Sequence, residues 1–252
     1  MNIVYDNLSE KYDTVRIPHH DIQDILGEYI CFNDNNKHTH IDLGCGTCKE
    51  TFVLRDKVRN FIGVDLSLGM LETARKKIQD GIFIQADLQK NIPLLHDTAD
   101  SVTIISFYHH IINKEAFFSE INRIMNKNST LIIVTNTIEQ LEKRGYYDFF
   151  ETALSINKNR FLDKDNLESI LKENNFSMIK SMSISRPVSF WGEELLHRIQ
   201  SLAFDSTFGL IDKTDFNEGL KKLEVYIKES KQKIACCRDK YLIVCKKGGQ
   251  YE

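Results

Sequence analysis

The sequence predicts an α/β fold built on a doubly wound, mostly parallel sheet with helices on both faces. Seven short apolar runs, most of them rich in Ile and Val, alternate with amphipathic stretches along the 252 residues. Several runs are apolar at successive positions, which is typical of strands that are buried on both faces. The composition has no internal repeat and no Pro/Gly-rich linker. We therefore expect residues 1–252 to form a single domain.

The apolar runs and the helical patterns fall in a regular order. Strands are predicted at 40–43, 60–66, 81–87, 101–107, 130–136, 176–185 and 241–247. Amphipathic helices are predicted at 67–80, where Ser67 is a plausible N-cap, at 113–126 and at 163–174. A longer helical stretch, 190–235, separates the last two strands. We expect it to be an appended cap.

The bulk composition argues against several classes of protein. The net charge is −3 and no long Lys/Arg block occurs, so the electrostatic footprint of a nucleic-acid binder is missing. The first residues have no apolar core of a signal peptide, and no run of about 18 apolar residues predicts a membrane span. The six cysteines have no secreted-framework spacing. They are expected to be reduced thiols in a cytoplasmic protein.

The stretch THIDLGCGTCKE, residues 39–50, admits three interpretations. A nicotinamide or flavin turn requires G-x-G-x-x-G/A, and Lys49 stands where the third small residue belongs. Cys45 and Cys48 have redox spacing, but the other cysteines supply no second CxxC, and two small residues in a tight turn explain the pair equally well.

The third interpretation uses carboxylates at the ends of successive strands. Asp42 precedes the glycine turn, Asp65 ends the second predicted strand 19 residues after Gly46, and Asp87 ends the third. A carboxylate such as Asp65 can accept both hydroxyls of a ribose. Gly44 and Gly46 allow close approach of a ligand. Three acids suit a neutral or cationic adenosine ligand better than a pyrophosphate.

These motifs together resemble those of the class I S-adenosylmethionine-dependent methyltransferases, especially the small-molecule branch. The resemblance rests on IDLGCGT, GVDLS…ML and QADL and covers about residues 5–136. It implies a seven-stranded Rossmann-like sheet whose last strand is antiparallel, and S-adenosyl-L-methionine as cofactor. Two positions depart from the family pattern. Cys48 replaces a usual glycine, and the polar turn MNKNST replaces a Pro-Gly-Gly turn before the fifth strand.

The resemblance also implies the residues that bind the cofactor. Asp42 and the glycine turn would hold the methionine end, Asp65 the ribose and Asp87 the adenine, which Leu66 and Leu88 would flank. Residues 1–30 look like the family's N-terminal gate, in which Tyr12 and Arg16 fold over the cofactor. The full implied set is Tyr12, Arg16, Asp42, Gly44, Cys45, Gly46, Asp65, Leu66, Met70, Asp87, Leu88 and Ser106.

His109 and His110 follow the fourth predicted strand in SFYHHI and are the candidate catalytic residues. An imidazole there can act as a base or orient the acceptor, since it titrates near pH 6.5; capping the strand end is the alternative. The paired histidines His19/His20 and His38/His40 have no further ligands at metal spacing, so no metal is expected.

The expected activity is methyl transfer to an O, N or C atom of a small molecule. SFYHH is not the Asn/Asp-Pro-Pro-aromatic motif of amino-methyltransferases that act on nucleic-acid bases. An RNA or protein acceptor, a nicotinamide-dependent oxidoreductase and a non-catalytic binding module are the alternatives. The stretch 190–235 is expected to cap the active site, with Phe190 and Trp191 as wall residues. It would otherwise be a surface brace or the interface of a homodimer.

Overall fold

The computed structural model describes most of the chain, in two compact units. The described residues are Ser9, Tyr12, Asp13, 19–30, 37–200, 204–230 and 232–248. The first unit holds the described residues up to Thr135, with Asp165–Met182 and the residues from Leu242 onward. The second unit holds Asn136–Lys164 and Ser183–Tyr241.

A seven-stranded sheet organises the first unit, in the order β3-β2-β1-β4-β5-β9-β6. Its strands are β1 Thr39–Leu43, β2 Asn60–Asp65, β3 Ile82–Gln85, β4 Ala99–Ile105, β5 Met125–Thr135, β6 Phe176–Ile184 and β9 Lys240–Lys247. The pairs β1–β2, β1–β4, β2–β3 and β4–β5 are parallel, and the last strand is antiparallel. The predicted doubly wound fold is confirmed.

Burial along the strands follows their place in the sheet. β1, β4 and β9 lie inside it and are almost continuously buried, as their unbroken apolar runs indicated. β3 and β6 are the two edge strands, and about half or more of their side chains reach solvent.

Four α-helices belong mainly to the sheet unit. They are α1 His20–Tyr29, α2 Leu68–Lys77, α3 Lys114–Ile124 and α6 Lys164–Glu173. The Ser67 hydroxyl accepts the N–H of Met70 at 3.2 Å, so the predicted N-cap of α2 is confirmed. Asn113 caps α3 in the same way through the N–H of Ala116. None of the helices that the structure describes is long and apolar enough to cross a membrane.

The polar segment before the fifth strand is not the turn that the sequence predicts. Residues 125–130 are already part of β5, and the register with β4 shifts between Ala99 and Ser101, which pair with Met125 and Thr130. Asn128 lies in the left-handed region, with φ 63°. The segment is therefore a bulge, and bulges tolerate polar residues because the extra residues leave the ladder.

The second unit is mainly helical, with a small sheet. Its elements are α4 Ile138–Glu142, α5 Glu151–Arg160, α7 Gly192–Gln200, α8 Lys213–Glu229 and the antiparallel strands β7 Ser189–Phe190 and β8 Ile234–Ala235. Aromatic rings form much of its core, among them Tyr146, Tyr147, Phe150, Phe190 and Phe208.

A buried carboxylate organises the polar part of that core. Asp205 accepts hydrogen bonds from the hydroxyls of Tyr146 at 2.7 Å and Tyr147 at 2.8 Å. Burial alone would raise its pKa, but the guanidinium of Arg144 at 3.5 Å and these hydrogen bonds outweigh burial and lower the pKa to about 2. Asp205 is therefore ionised, and its charge is compensated within the core.

The stretch 190–235 lies in the second unit. Its described part contains the expected helices, α7 and α8, but it begins in β7 and ends in β8. The unit also takes in Asn136–Lys164, which the sequence did not group with it, and the short strands β7 and β8 were missed because two residues carry too little periodicity. The cap function of 190–235 stays a prediction.

The central strands of the sheet should dominate the stability of the first unit. Ile104 lies in β4 with none of its surface exposed, so Ile104→Ala should lower the free energy of unfolding by about 2–5 kcal/mol in urea titrations. Ile112 has 88% of its surface exposed, and Ile112→Ala should change the free energy of unfolding by less than about 0.5 kcal/mol. Equal effects of the two substitutions would contradict this packing.

Candidate functional site

The turn after β1 folds tightly against its neighbours. The N–H groups of Gly44 and Cys45 both donate to the carbonyl of Val64 in β2, at 2.8 and 3.1 Å. Gly44 has φ 67°, and a Cβ there would lie 2.0 Å from Cγ of Phe107. Only glycine fits this position, because both the backbone conformation and the aromatic ring exclude a side chain.

The next glycine leaves an open space at the edge of the sheet. Gly46 has φ 50°, and no atom of the described residues lies within 4 Å of the place where a Cβ would stand. A ligand can therefore approach this backbone closely. Cys48 also lies in the left-handed region, with φ 53°, although it is not glycine. A cysteine in place of the family's usual glycine therefore costs about 1–2 kcal/mol of backbone strain at this position.

Asp65 ties the end of β2 to this turn. Its carboxylate accepts the N–H of Gly46 at 2.8 Å through Oδ2 and the N–H of Ser67 at 2.9 Å through Oδ1. Carboxylate oxygens are acceptors only, so this side chain suits the donor groups of a ligand. The side chain is half-buried beside the open Gly46 position, and Met70 is buried in the following helix α2.

The end of β3 supplies the third carboxylate. Asp87 is half-buried, and its Oδ1 accepts the N–H of Gln89 at 3.1 Å. Leu88 is buried, whereas Leu66, after β2, has 38% of its surface exposed. Since β1, β2 and β3 are parallel neighbours, Asp42, Asp65 and Asp87 share one edge of the sheet, as the sequence predicts.

Asp42 is the deepest of the three acids, with 2% of its surface exposed. Burial raises the pKa of its carboxyl to about 6, and the charges of Asp65 and Glu50 act in the same direction. Hydrogen bonds from the hydroxyls of Thr51 at 2.6 Å and Thr103 at 2.9 Å oppose the rise. Asp42 is therefore mostly ionised at pH 7, but its pKa lies only about one unit below that pH.

The two candidate catalytic histidines lie in a single turn after β4, over Tyr108–His110. Their ring centroids are 4.2 Å apart; His109 is buried and His110 half-buried. Ser106 lies at the start of this turn, with φ 53°. The side-chain amide of Gln89 stabilises the turn, because it donates to the carbonyl of His110 and accepts the N–H of Ile112 at 3.0 Å. The structure thus brings the histidine turn next to the loop that follows β3.

Comparison with known proteins finds matches to methyltransferases. Residues 41–133 match a family model described as a methyltransferase domain. A relative from Campylobacter jejuni, named ubiquinone/menaquinone biosynthesis C-methyltransferase UbiE, is 28% identical over 177 residues, which cover 59% of this chain and 74% of the relative. These matches support membership of the class I S-adenosylmethionine-dependent methyltransferases and S-adenosylmethionine as the cofactor.

Two solved structures share the fold of this methyltransferase. One is the crystal structure of a provisionally assigned methyltransferase from Bacillus halodurans, with a TM-score of 0.68, 19% identity, and coverage of 92% of this chain and 100% of that one. The other is phosphoethanolamine N-methyltransferase 2 from Haemonchus contortus, described with S-adenosylhomocysteine, with a TM-score of 0.61, 15% identity, and coverage of 97% and 58%.

The N-terminal segment of the methyltransferase is fastened to the glycine turn by contacts that the sequence analysis missed. The Thr47 hydroxyl donates to Asp13 at 2.6 Å, and Lys77 donates both to Asp13 and to the carbonyl of Thr47. The N–H of His19 donates to Glu50 at 2.9 Å. Tyr12 is half-buried, and Arg16 lies outside the described residues, so their role in a gate stays a prediction.

Cys45, in the turn, is a poor nucleophile. Burial raises the pKa of the Cys45 thiol well above its ordinary value, and the neighbouring Cys48 adds to the rise. A protonated thiol neither attacks nor exchanges readily. Among the described residues, no three His, Cys, Asp or Glu side chains are grouped as a metal site would require.

The sequence pattern also did not predict a line of polar side chains behind Asp42. His40 is fully buried; its Nδ1 lies 2.8 Å from the Ser101 hydroxyl and its Nε2 lies 3.2 Å from that of Thr103. Burial, and then the nearby His38, lower the pKa of His40 to about 3. The ring is therefore neutral near pH 7.

Asp42 and His40 should change the stability in opposite directions below pH 6.5. The raised pKa of Asp42 contributes stability that is complete below pH 3.8 and is lost as the pH rises to about 6. The lowered pKa of His40 contributes stability that is complete above pH 6.5 and is lost as the pH falls toward 3. Each changes the free energy of unfolding by about 1.4 kcal/mol per pH unit within its window.

Single variants should separate the two contributions. Between pH 6 and pH 4, and relative to the wild-type protein, Asp42→Asn should lose about 2–3 kcal/mol of unfolding free energy, whereas His40→Gln should gain about as much. Urea titrations at the two pH values measure both slopes. Slopes of the same sign would contradict the assigned burial of one of the two groups.

Proposed function

We propose that this methyltransferase transfers the methyl group of S-adenosylmethionine to an O, N or C atom of a small molecule in the cytoplasm. The observation that carries the cofactor site is the open space at Gly46 beside the Asp65 carboxylate. A backbone without a Cβ permits close approach, and the neighbouring carboxylate recognises hydroxyl groups. The residues present therefore fit the cofactor.

The cofactor-holding residues follow the edge of the sheet. Asp65 accepts the ribose hydroxyls, Asp42 and the turn around Gly44 hold the methionine end, and Asp87 accepts the adenine amino group. Leu66 and Leu88 flank the adenine, and the exposed surface of Leu66 supports this role. The remaining proposed contacts are Tyr12, Arg16, Cys45, Met70 and Ser106.

The chemistry asks the protein to align an acceptor and to exclude water. The cofactor, when bound, supplies a methyl group on a sulfonium leaving group. His110 is the better candidate for a base, because it is half-buried and so reaches solvent and ligand more readily than the buried His109. His109 packs against it at 4.2 Å and fixes the orientation of its ring.

The acceptor class rests on charge and on motif. A net charge of −3 disfavours a polyanionic acceptor, and SFYHH lacks the motif typical of base-directed amino-methyltransferases. The relatives' names include a C-methyltransferase and an N-methyltransferase on the same fold, so the acceptor atom depends on residues outside the shared core. The described cysteines are free thiols, which suits the cytoplasm. A homodimer is compatible with this proposal.

Residues 190–235 are proposed to cap the site and to contact the acceptor. The chain enters the second unit at Asn136, directly after β5 ends, and the carboxyl ends of parallel strands are where ligands of such sheets bind. Trp191 has 51% of its surface exposed and lies beside Lys233, whose Nζ is 5.0 Å from the ring centroid. An exposed aromatic ring of this kind is suited to an apolar acceptor.

Removal of the Asp65 carboxylate should weaken cofactor binding. Asp65→Ala is expected to raise the Kd of S-adenosylmethionine about ten- to a hundredfold, because hydrogen bonds to a charged acceptor are lost, at about 1.5–3 kcal/mol. Isothermal titration calorimetry measures the change. Asp100 also accepts a backbone N–H, from Thr39 at 2.8 Å, and Asp100→Ala is the matched control. Unchanged affinity in folded Asp65→Ala would refute the assignment.

Truncation of Trp191 should affect the acceptor and not the cofactor. Trp191→Ala is expected to raise KM for the acceptor at least tenfold and to leave the Kd of S-adenosylmethionine unchanged, since the cap contacts only the acceptor. Val225, in α8, is equally exposed, and Val225→Ala should change neither quantity. An unchanged KM in Trp191→Ala, with a loss of dimer in sedimentation, would favour the interface alternative.

A further inference from the structure

A continuous file of five polar side chains crosses the buried sheet of the first unit. Asp42 and Thr103 are cross-strand partners in β1 and β4. His40 and Ser101, each two residues earlier in its strand, are partners as well. His38, just before β1, completes the file. All five are buried, and the file spans about 13 Å, at about 3.3 Å per strand residue.

Each member of the file is within hydrogen-bond distance of the next. His38 Nε2 lies 2.8 Å from Ser101 Oγ, and Ser101 Oγ lies 2.8 Å from His40 Nδ1. His40 Nε2 lies 3.2 Å from Thr103 Oγ1, which donates to Asp42 Oδ1 at 2.9 Å. The strand positions from which these side chains come are apolar in a typical buried sheet, so the file departs from ordinary core composition.

The charge of Asp42 fixes the direction of every hydrogen bond in the file. With Asp42 ionised, Thr103 donates to it, so the Thr103 oxygen accepts from His40 Nε2–H. His40 Nδ1 then accepts from the Ser101 hydroxyl, whose oxygen accepts from His38 Nε2–H. The neutral tautomers follow from the ionised state of Asp42, and all donors point toward Asp42.

A proton on Asp42 reverses the whole file. Thr51 donates to Oδ2 at 2.6 Å and leaves Oδ1 to carry the proton. Asp42 Oδ1–H then donates to Thr103, Thr103 to His40 Nε2, His40 Nδ1–H to Ser101, and Ser101 to His38 Nε2. The two arrangements contain the same groups with one hydrogen each on Thr103, His40, Ser101 and His38.

We propose that His38, Ser101, His40, Thr103 and Asp42 form a proton relay along β1 and β4. When Asp42 loses its proton, its O–H bond breaks and an O–H bond forms on Thr103, whose own proton passes to His40 Nε2. The Nδ1 proton of His40 passes to Ser101, and the Ser101 proton passes to His38 Nε2. The Nδ1 atom of His38 is itself buried, so its proton is released to solvent on local opening of the chain before β1. One proton leaves, and each intermediate group keeps its count.

The relay has a use at this site, and this step rests on the proposed function. A cationic group beside Asp42 keeps its carboxylate ionised. The proton affinity of Asp42 rises once the cationic charge is gone. The groups that face Asp42 with titratable atoms are Glu50 and Asp65, which raise its proton affinity, the neutral Cys45 and the neutral His40. When a ligand covers the carboxyl ends of the strands, the relay connects Asp42 to the amino ends of β1 and β4.

Nitrogen-15 NMR of histidine-labelled protein tests the relay without any ligand. Between pH 5 and pH 8 the His40 ring should change from the Nδ1–H to the Nε2–H tautomer, with a midpoint near 6, and should not become imidazolium. His40→Gln assigns the signals. A single His40 tautomer across this range, or protonation of the ring there, would overturn the proposal.

Variants along the file dissect the relay. Asp42→Asn should abolish the tautomer change, and Thr103→Val should uncouple it from Asp42. Ser101→Ala should preserve the change at His40 and abolish the response of His38. Ser129 is buried in β5 outside the file, and Ser129→Ala should leave both histidines as in the wild-type protein. Loss of the change in Ser129→Ala, or its persistence in Thr103→Val, would count against the relay.

Titration with ligand separates this proposal from the proposed function. At pH 6, S-adenosylmethionine should convert His40 further to the Nε2–H tautomer, and S-adenosylhomocysteine should do so less. Calorimetric binding with no tautomer change would overturn the coupling of the relay to the cofactor and leave the cofactor site standing. Absence of binding would refute the cofactor site, and the pH series would still decide whether the relay exists.

Discussion

The position of Gly44 under the ring of Phe107 is the constraint on which the site depends. The two N–H groups that begin this turn bind one carbonyl at the end of β2, and the ring from the end of β4 closes the turn from the other side. Three neighbouring strands are thereby locked at their carboxyl ends. The open Gly46 position follows directly in this turn, and the Asp65 carboxylate binds its N–H.

Polar groups behind this turn have a cost that the structure offsets by pairing. Two histidines, a serine, a threonine and an aspartate lie in a sheet interior where apolar side chains are usual. Each unsatisfied buried polar group would cost about 1–3 kcal/mol, so a file in which each group binds the next is far less costly than the same groups scattered. Hydrogen-bonded continuity, and not the identity of any one residue, makes the file tolerable.

The sequence was sufficient for the sheet and for the acids at its edge, because both depend on local pattern. Apolar runs set the strands, and parallel connections place Asp42, Asp65 and Asp87 together. It was insufficient where a polar segment enters the ladder, as at residues 125–130, because a bulge and a turn use the same residue types. It was also insufficient for the contact of Asp13 with Thr47, which joins residues 34 positions apart.

The same distinction explains why the cofactor can be named from the sequence and the acceptor cannot. The cofactor site that we propose is made by strand ends, whose spacing the hydrophobic pattern determines, and a protein named for N-methylation shares that fold. The second unit is different: its core depends on Asp205 meeting two tyrosines from residues 58 and 59 positions away. Because such contacts leave no periodic trace, the part of the chain that we propose for the acceptor can diverge while the strand ends that we propose for the cofactor keep their pattern.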